Sequence, residues 1–240
     1  MRRIIAASLC AVFFCGCATV DFSAVHYAPP PCYKQESLDF LAALQKQLAL
    51  NHQYAFVIVD DKACSHAGIP EISGYTVKIP DLVLKYLYQN YYRYRYHILA
   101  SLACHEIAHY EFNSGEKQHF LVDTQAIGLF QRGTLLVPAD FYKSLLVLRN
   151  YWAARKGVGG QAANIGWNAV QVATLATIGV GVFSDWYATD MNKRIQQIAR
   201  KYAIKDRHPY ERSSAAVERG TCDKDYSQVL LLPRYGKDGI

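Results

Sequence analysis

His105, Glu106 and His109 stand in the order His-Glu-Ile-Ala-His. Histidines four apart on an α-helix project from one face, so two imidazoles there can share one zinc ion. Zinc polarises a carbonyl and acidifies water. Glu106, beside the first histidine, can take the proton that water gives up. This constellation hydrolyses peptide bonds. Two incidental histidines and a glutamate in a helix this apolar would be buried polar groups still needing partners.

Zinc needs a third protein ligand and leaves its fourth position to water. Residues 115–126 read as a second helix after a short turn, and Glu116, His119 and Asp123 are spaced three and four apart on it. Two helices joined by a short turn lie antiparallel, which returns that stripe toward His109. His119 is the expected third ligand and Glu116 its substitute. Asp123, one turn further on, is expected to accept a hydrogen bond from a ligating imidazole and fix its orientation.

These residues must be positioned by the elements around them. Ile98-Leu99-Ala100-Ser101-Leu102-Ala103-Cys104 runs into the histidine pair without Gly or Pro, as a buried helix requires, and Asn113-Ser114-Gly115 is a stop signal. Tyr54 to Val59 and Gly74 to Ile79 are β-rich, Pro80-Asp81 opens a helix through Tyr88, and Ser37 reads as the cap of an earlier helix. The expected fold is α+β and mostly helical: a zincin-like domain over residues 36–240 with a small β-sheet beside the His105–His109 helix.

The pentapeptide, the polar residues on the following helix and the later pair His208-Pro209 together resemble the gluzincin metallopeptidases that include the HtpX heat-shock protease and the CAAX prenyl endopeptidase. In that family the third ligand is a Glu four residues before an Asp, which is followed three later by an Ala. With Asp123 and Ala126 in those places, the ligand position falls on His119. The family's His-Pro segment is followed by an Arg, and the resemblance implies that His208 and Arg212 approach the active site and help stabilise the oxyanion. It also implies that an extended protein or peptide substrate pairs with an edge strand of the sheet.

Met1-Arg2-Arg3 followed by the uncharged run Ile4 to Phe14 and by Cys15-Gly16-Cys17 reads as a lipoprotein signal peptide over residues 1–16. Cys17 would then be the acylated first residue, anchored in the bilayer by two or more chains. Residues 17–35, with Ala28-Pro29-Pro30-Pro31, read as a tether. Ala18 after the cysteine, by similarity to sorted lipoproteins, points to the outer membrane, with the domain facing the periplasm. A formal charge of +6, of which Arg2 and Arg3 would leave with the signal, and no basic cluster beyond Arg93 and Arg95 argue against nucleic acid as a partner. In an oxidising compartment one disulfide among Cys32, Cys64 and Cys222 is expected, with Cys104 a small buried hydrophobe.

Two stretches invite other readings. Six tyrosines between Tyr86 and Tyr96 could line a groove or a lipid surface, but packing with some wet tips is favoured. Residues 157–184 carry no charge, yet Gln161, Asn164, Asn168, Gln171 and several glycines favour a packed Gly/Ala-rich helix or a flap over a membrane span. The competing class of function is a zinc-stapled lipoprotein scaffold or chaperone in envelope assembly. A closed fourth position, filled by Glu116 or His208, would mark it. A zinc hydrolase of peptidoglycan or lipid fits the same motif.

Overall fold

The computed structural model describes residues 29–60, 63–64, 69–113, 119–155, 186–213, 226 and 228–230. Their fold is α+β and mostly helical, as expected. The described helices are α1 (Tyr33–Gln47), α2 (Asp81–Asn90), α3 (Arg95–Glu111), α4 (His119–Gly133), α5 (Pro138–Arg155) and α6 (Trp186–Lys201), and the described strands are β1 (Ala55–Val59), β2 (Glu71–Ser73) and β3 (Thr76–Pro80).

Helix α3 is the axis of the molecule. Ile98, Leu99, Ala100, Leu102, Ala103, Cys104, Ile107 and Ala108 are all buried, so apolar residues face every direction around it, and such a helix is stable only with neighbours on all sides. α1, α4, α5 and the sheet supply them. The helix ends at Glu111, and Asn113 adopts φ +48°, the left-handed conformation that Asn tolerates just beyond a helix. At its far end α4 comes close to the end of α1: a Cβ on Gly133 would lie 2.6 Å from Leu48 Cδ2 and 3.3 Å from the Gln47 and Leu48 backbone, so a larger residue there would have to push Leu48 aside.

β3 is central, parallel to β1 with Ala55 opposite Thr76 and antiparallel to β2 with Ile72 opposite Val77. β2 was not anticipated; it is three residues long, too short for an alternating pattern to be read. Gly74, at φ +57°, makes the tight turn between β2 and β3. Val77 and Ile79 are fully buried, and β2 and β3 both lie against α3.

The N-terminal boundary differs from expectation. α1 begins at Tyr33, so the folded body starts within the expected tether. Tyr33 is buried and donates to Asp81 Oδ1 at 2.5 Å, and Cys32 is disulfide-bonded. Ser37 is no cap; it lies inside α1, and its hydroxyl donates back to the Tyr33 carbonyl at 2.8 Å, satisfying a buried polar group locally. Cys64 and Cys104 are buried thiols outside any disulfide, which removes Cys64 from the expected pairings. The 86–96 tyrosines are mostly core, with Tyr88, Tyr91, Tyr92 and Tyr96 at 4% exposure or less. Residues 1–28, including Cys17, and Glu116, residues 157–184 and Cys222 lie outside the described residues. Among the described residues no helix is long and apolar enough to cross a membrane.

Candidate metal centre

α3 presents His105 and His109 one turn apart, and α4 opens with His119 opposite them. The three imidazoles offer ligand nitrogens that all lie within 4.8 Å of one another. Their ring centroids are separated by 4.8 Å (His105–His109), 5.8 Å (His105–His119) and 5.4 Å (His109–His119). The four-residue period of α3 and the packing of α4 against it put them there, which is why the spacing was informative.

Each outer nitrogen that can be traced has a carboxylate. His105 Nδ1 lies 2.8 Å from Asp123 Oδ1, and His119 Nδ1 lies 2.8 Å from Asp190 Oδ2. In both cases the ring donates Nδ1–H, which leaves the Nε2 lone pair facing the cluster. Arg194 Nη2 also comes within 3.3 Å of His105 Nδ1. Both groups are donors, so they share Asp123 as acceptor and do not bond to each other.

The Nε2 atoms of His105 and His109 are 3.2 Å apart. At that distance either one ring donates Nε2–H to the other or a cation takes up both lone pairs. A tetrahedral zinc with nitrogen ligands at ~2.05 Å separates neighbouring ligand atoms by about 3.3 Å. The three-imidazole donor set and the His105–His109 separation fit zinc, and the wider spread of up to 4.8 Å would have to close to about 3.3 Å around the ion.

Charge around the cluster is organised by burial. Burial first, then Arg194, pulls the His105 imidazole down to about 3, so the ring is neutral at neutral pH, the form a metal ligand must take. Burial alone would raise the Asp123 carboxyl, but Arg194 and the His105 ring hold it well below the usual carboxylate range. Glu106 is 8% exposed, and burial, together with the nearby charges of Glu71 on β2 and Asp123, pushes it up to about 8 against the pull of Arg194. A cation at the imidazoles would lower that value again, into the range of a general base working near neutrality.

Asp190 and Arg194, both on α6, were missed. The signal was present: Met191, Ile195 and Ile198 form a buried stripe at three- and four-residue spacing, and Arg194 falls inside it with only 5% exposure. A charge on an apolar stripe needs a buried counter-charge. His208 and Arg212, by contrast, are not brought to the cluster. Both are exposed, and Tyr210 between them stacks on Tyr94 (4.3 Å) and touches His97 at the opposite end of α3. His97 precedes His105 by eight residues, about 12 Å of helix. Tyr210 holds this segment at the N-terminal end of α3, and the arginine buried at the histidines is Arg194.

No protein-family model, curated protein or solved structure matches the chain, so its functional reading rests on the geometry of this site.

Proposed function

We propose that this chain is a zinc metallopeptidase that hydrolyses peptide bonds of cell-envelope proteins, held to the membrane by an acylated Cys17 and facing the periplasm, as a gluzincin-like enzyme of the outer membrane. The observation that carries the reading is the convergence of His105, His109 and His119 within 4.8 Å, with the Glu106 carboxyl buried one residue from the first of them.

His105, His109 and His119 would hold the zinc, which supplies Lewis acidity for polarising a carbonyl and activating water. Glu106 accepts the proton as water oxygen bonds to the carbonyl carbon, and it returns that proton to the amine nitrogen as the carbon–nitrogen bond breaks. Asp123 and Asp190 keep two of the ligating rings in the tautomer that offers Nε2. β2 is an outer strand of the described sheet, and its Glu71 lies close enough to Glu106 to perturb it. An extended substrate pairing along β2 would therefore pass over the catalytic carboxylate.

The test is digestion of casein, peptidoglycan and phospholipid side by side by the purified protein, with and without chelator, alongside metal analysis. Chelator-sensitive cleavage of casein alone is the expected result. Metal without cleavage of any substrate would favour the scaffold reading, and absence of metal would overturn the centre itself.

A further inference from the structure

α6 reaches the candidate ligands twice. Asp190 accepts from His119 Nδ1 at 2.8 Å, and Arg194, one turn later, clamps the Asp123 carboxylate that in turn holds His105. His105 and His119 sit on different helices, α3 and α4, so one helix governs the aim of rings on two others. Resting on the zinc reading above, we propose that Asp190 is the positioning residue of the third ligand, and that seating of α6 and metal occupancy are linked through it.

The physical chain is short. A cation drawn to His119 Nε2 withdraws electron density from the ring and makes Nδ1–H a stronger donor, so the bond to Asp190 tightens when metal arrives. Linkage is reciprocal: whatever favours metal binding through this bond also favours α6 in its seat, by the same factor. Histidine needs this support more than a carboxylate would, because an imidazole offers its lone pair from one fixed nitrogen and only in one tautomer. Asp190 therefore supplies what a histidine in the third position lacks.

The role is separable from folding. α6 is held to the body by Met191, Ile195 and Ile198, all buried, whereas the Asp190 side chain is 27% exposed. Replacing Asp190 leaves that apolar seat intact.

The experiment is zinc titration of the full chain against a competing chromophoric chelator, with amide hydrogen exchange of 186–201 measured with and without zinc. Asp190→Ala is expected to weaken zinc binding about 10–100-fold. Asp190→Asn, which keeps an acceptor oxygen without the charge, is expected to fall between it and the parent. Zinc is expected to slow exchange in α6 of the parent and to slow it less in Asp190→Ala. A circular dichroism spectrum like the parent's verifies that each variant is folded, and if Asp190→Ala does not fold, Asp190→Asn carries the comparison. A parent that binds no zinc overturns both this inference and the function proposed above. A parent that binds zinc, with affinity and α6 exchange unchanged by either substitution, overturns this inference alone.

Discussion

Arg194 grips both carboxylate oxygens of Asp123, with Nε 2.8 Å from Oδ2 and Nη2 2.8 Å from Oδ1, and both side chains are nearly sealed from solvent at 6% and 0% exposure. The pair lies directly behind His105. Arg194→Met would leave the buried Asp123 carboxylate without its counter-charge, with only the neutral His105 ring still seen donating to it, at an expected cost of about 3–5 kcal/mol. Urea unfolding of the metal-free protein measures it. Because the two groups satisfy each other, Arg194→Met combined with Asp123→Leu should cost clearly less than the sum of the single variants. Additive costs would mean that the carboxylate is satisfied by something else.

Glu106→Gln keeps the size and burial of the side chain but removes its ability to accept a proton. Zinc content is expected to stay at the parent's level while kcat falls about 10²–10⁴-fold, the usual worth of general acid–base catalysis. KM should change little, since Glu106 would act on the reacting water and not on the bulk of the substrate. A variant cleaving casein at the parent's rate would remove Glu106 from the mechanism.

The same residue makes metal-free stability depend on pH. The folded state holds the Glu106 proton up to about 8, whereas an unfolded glutamate releases it near 4.5. Its contribution is fully present below about pH 4.5 and is lost as pH rises toward 8, because over that window only the unfolded chain gains the charge. The slope from one such group reaches about 1.4 kcal/mol per pH unit. His105, held down to about 3, has the opposite slope below about 6.5, so the informative quantity is the parent compared with Glu106→Gln. In chelator, the variant is expected to gain on the parent steadily between pH 4.5 and 8. Parallel urea midpoints across that range would show that the carboxyl ionises normally in the fold.

What the sequence made legible follows from where the information is local. The four-residue spacing of His105 and His109, the helix stop at Asn113, and the run from His119 through Asp123 to Ala126 all fall within 22 consecutive positions, and helical periodicity places them without knowledge of the rest of the chain. Asp190 lies 71 residues from His119, and no local rule joins them. Their meeting depends on α6 docking, which is decided by Met191, Ile195 and Ile198 finding the core. His208 and Arg212 show the converse: their types suited a catalytic role, but the stacking of Tyr210 on Tyr94 holds that segment at the other end of α3. The start of α1 was misplaced because Ser37 has the chemistry of a cap, while the structure uses its hydroxyl inside the helix.

A second buried ion pair anchors the opposite end of α3 and gives a prediction independent of any metal. Arg95 Nε and Nη2 each lie 2.8 Å from Glu36 Oε1, the Tyr96 hydroxyl donates to the same oxygen, and the guanidinium rests 3.8 Å from the Tyr92 ring centroid and 4.2 Å from that of Tyr96. Glu36 is 1% exposed, so the pair ties α1 to α3 through a low-dielectric contact that water cannot replace. Glu36→Leu would leave the Arg95 charge without its carboxylate, though Nη1 still donates to the Tyr92 carbonyl at 2.6 Å, at an expected cost of about 3–5 kcal/mol, and Glu36→Leu with Arg95→Met should recover much of it. Arg95 precedes His105 by ten residues, about 15 Å along the helix, so zinc affinity of the folded variants should equal the parent's. Urea unfolding and chelator competition on the same samples separate the two effects. A zinc affinity that fell with Glu36→Leu would mean that the two ends of α3 are coupled through its length, not held independently by their own ion pairs.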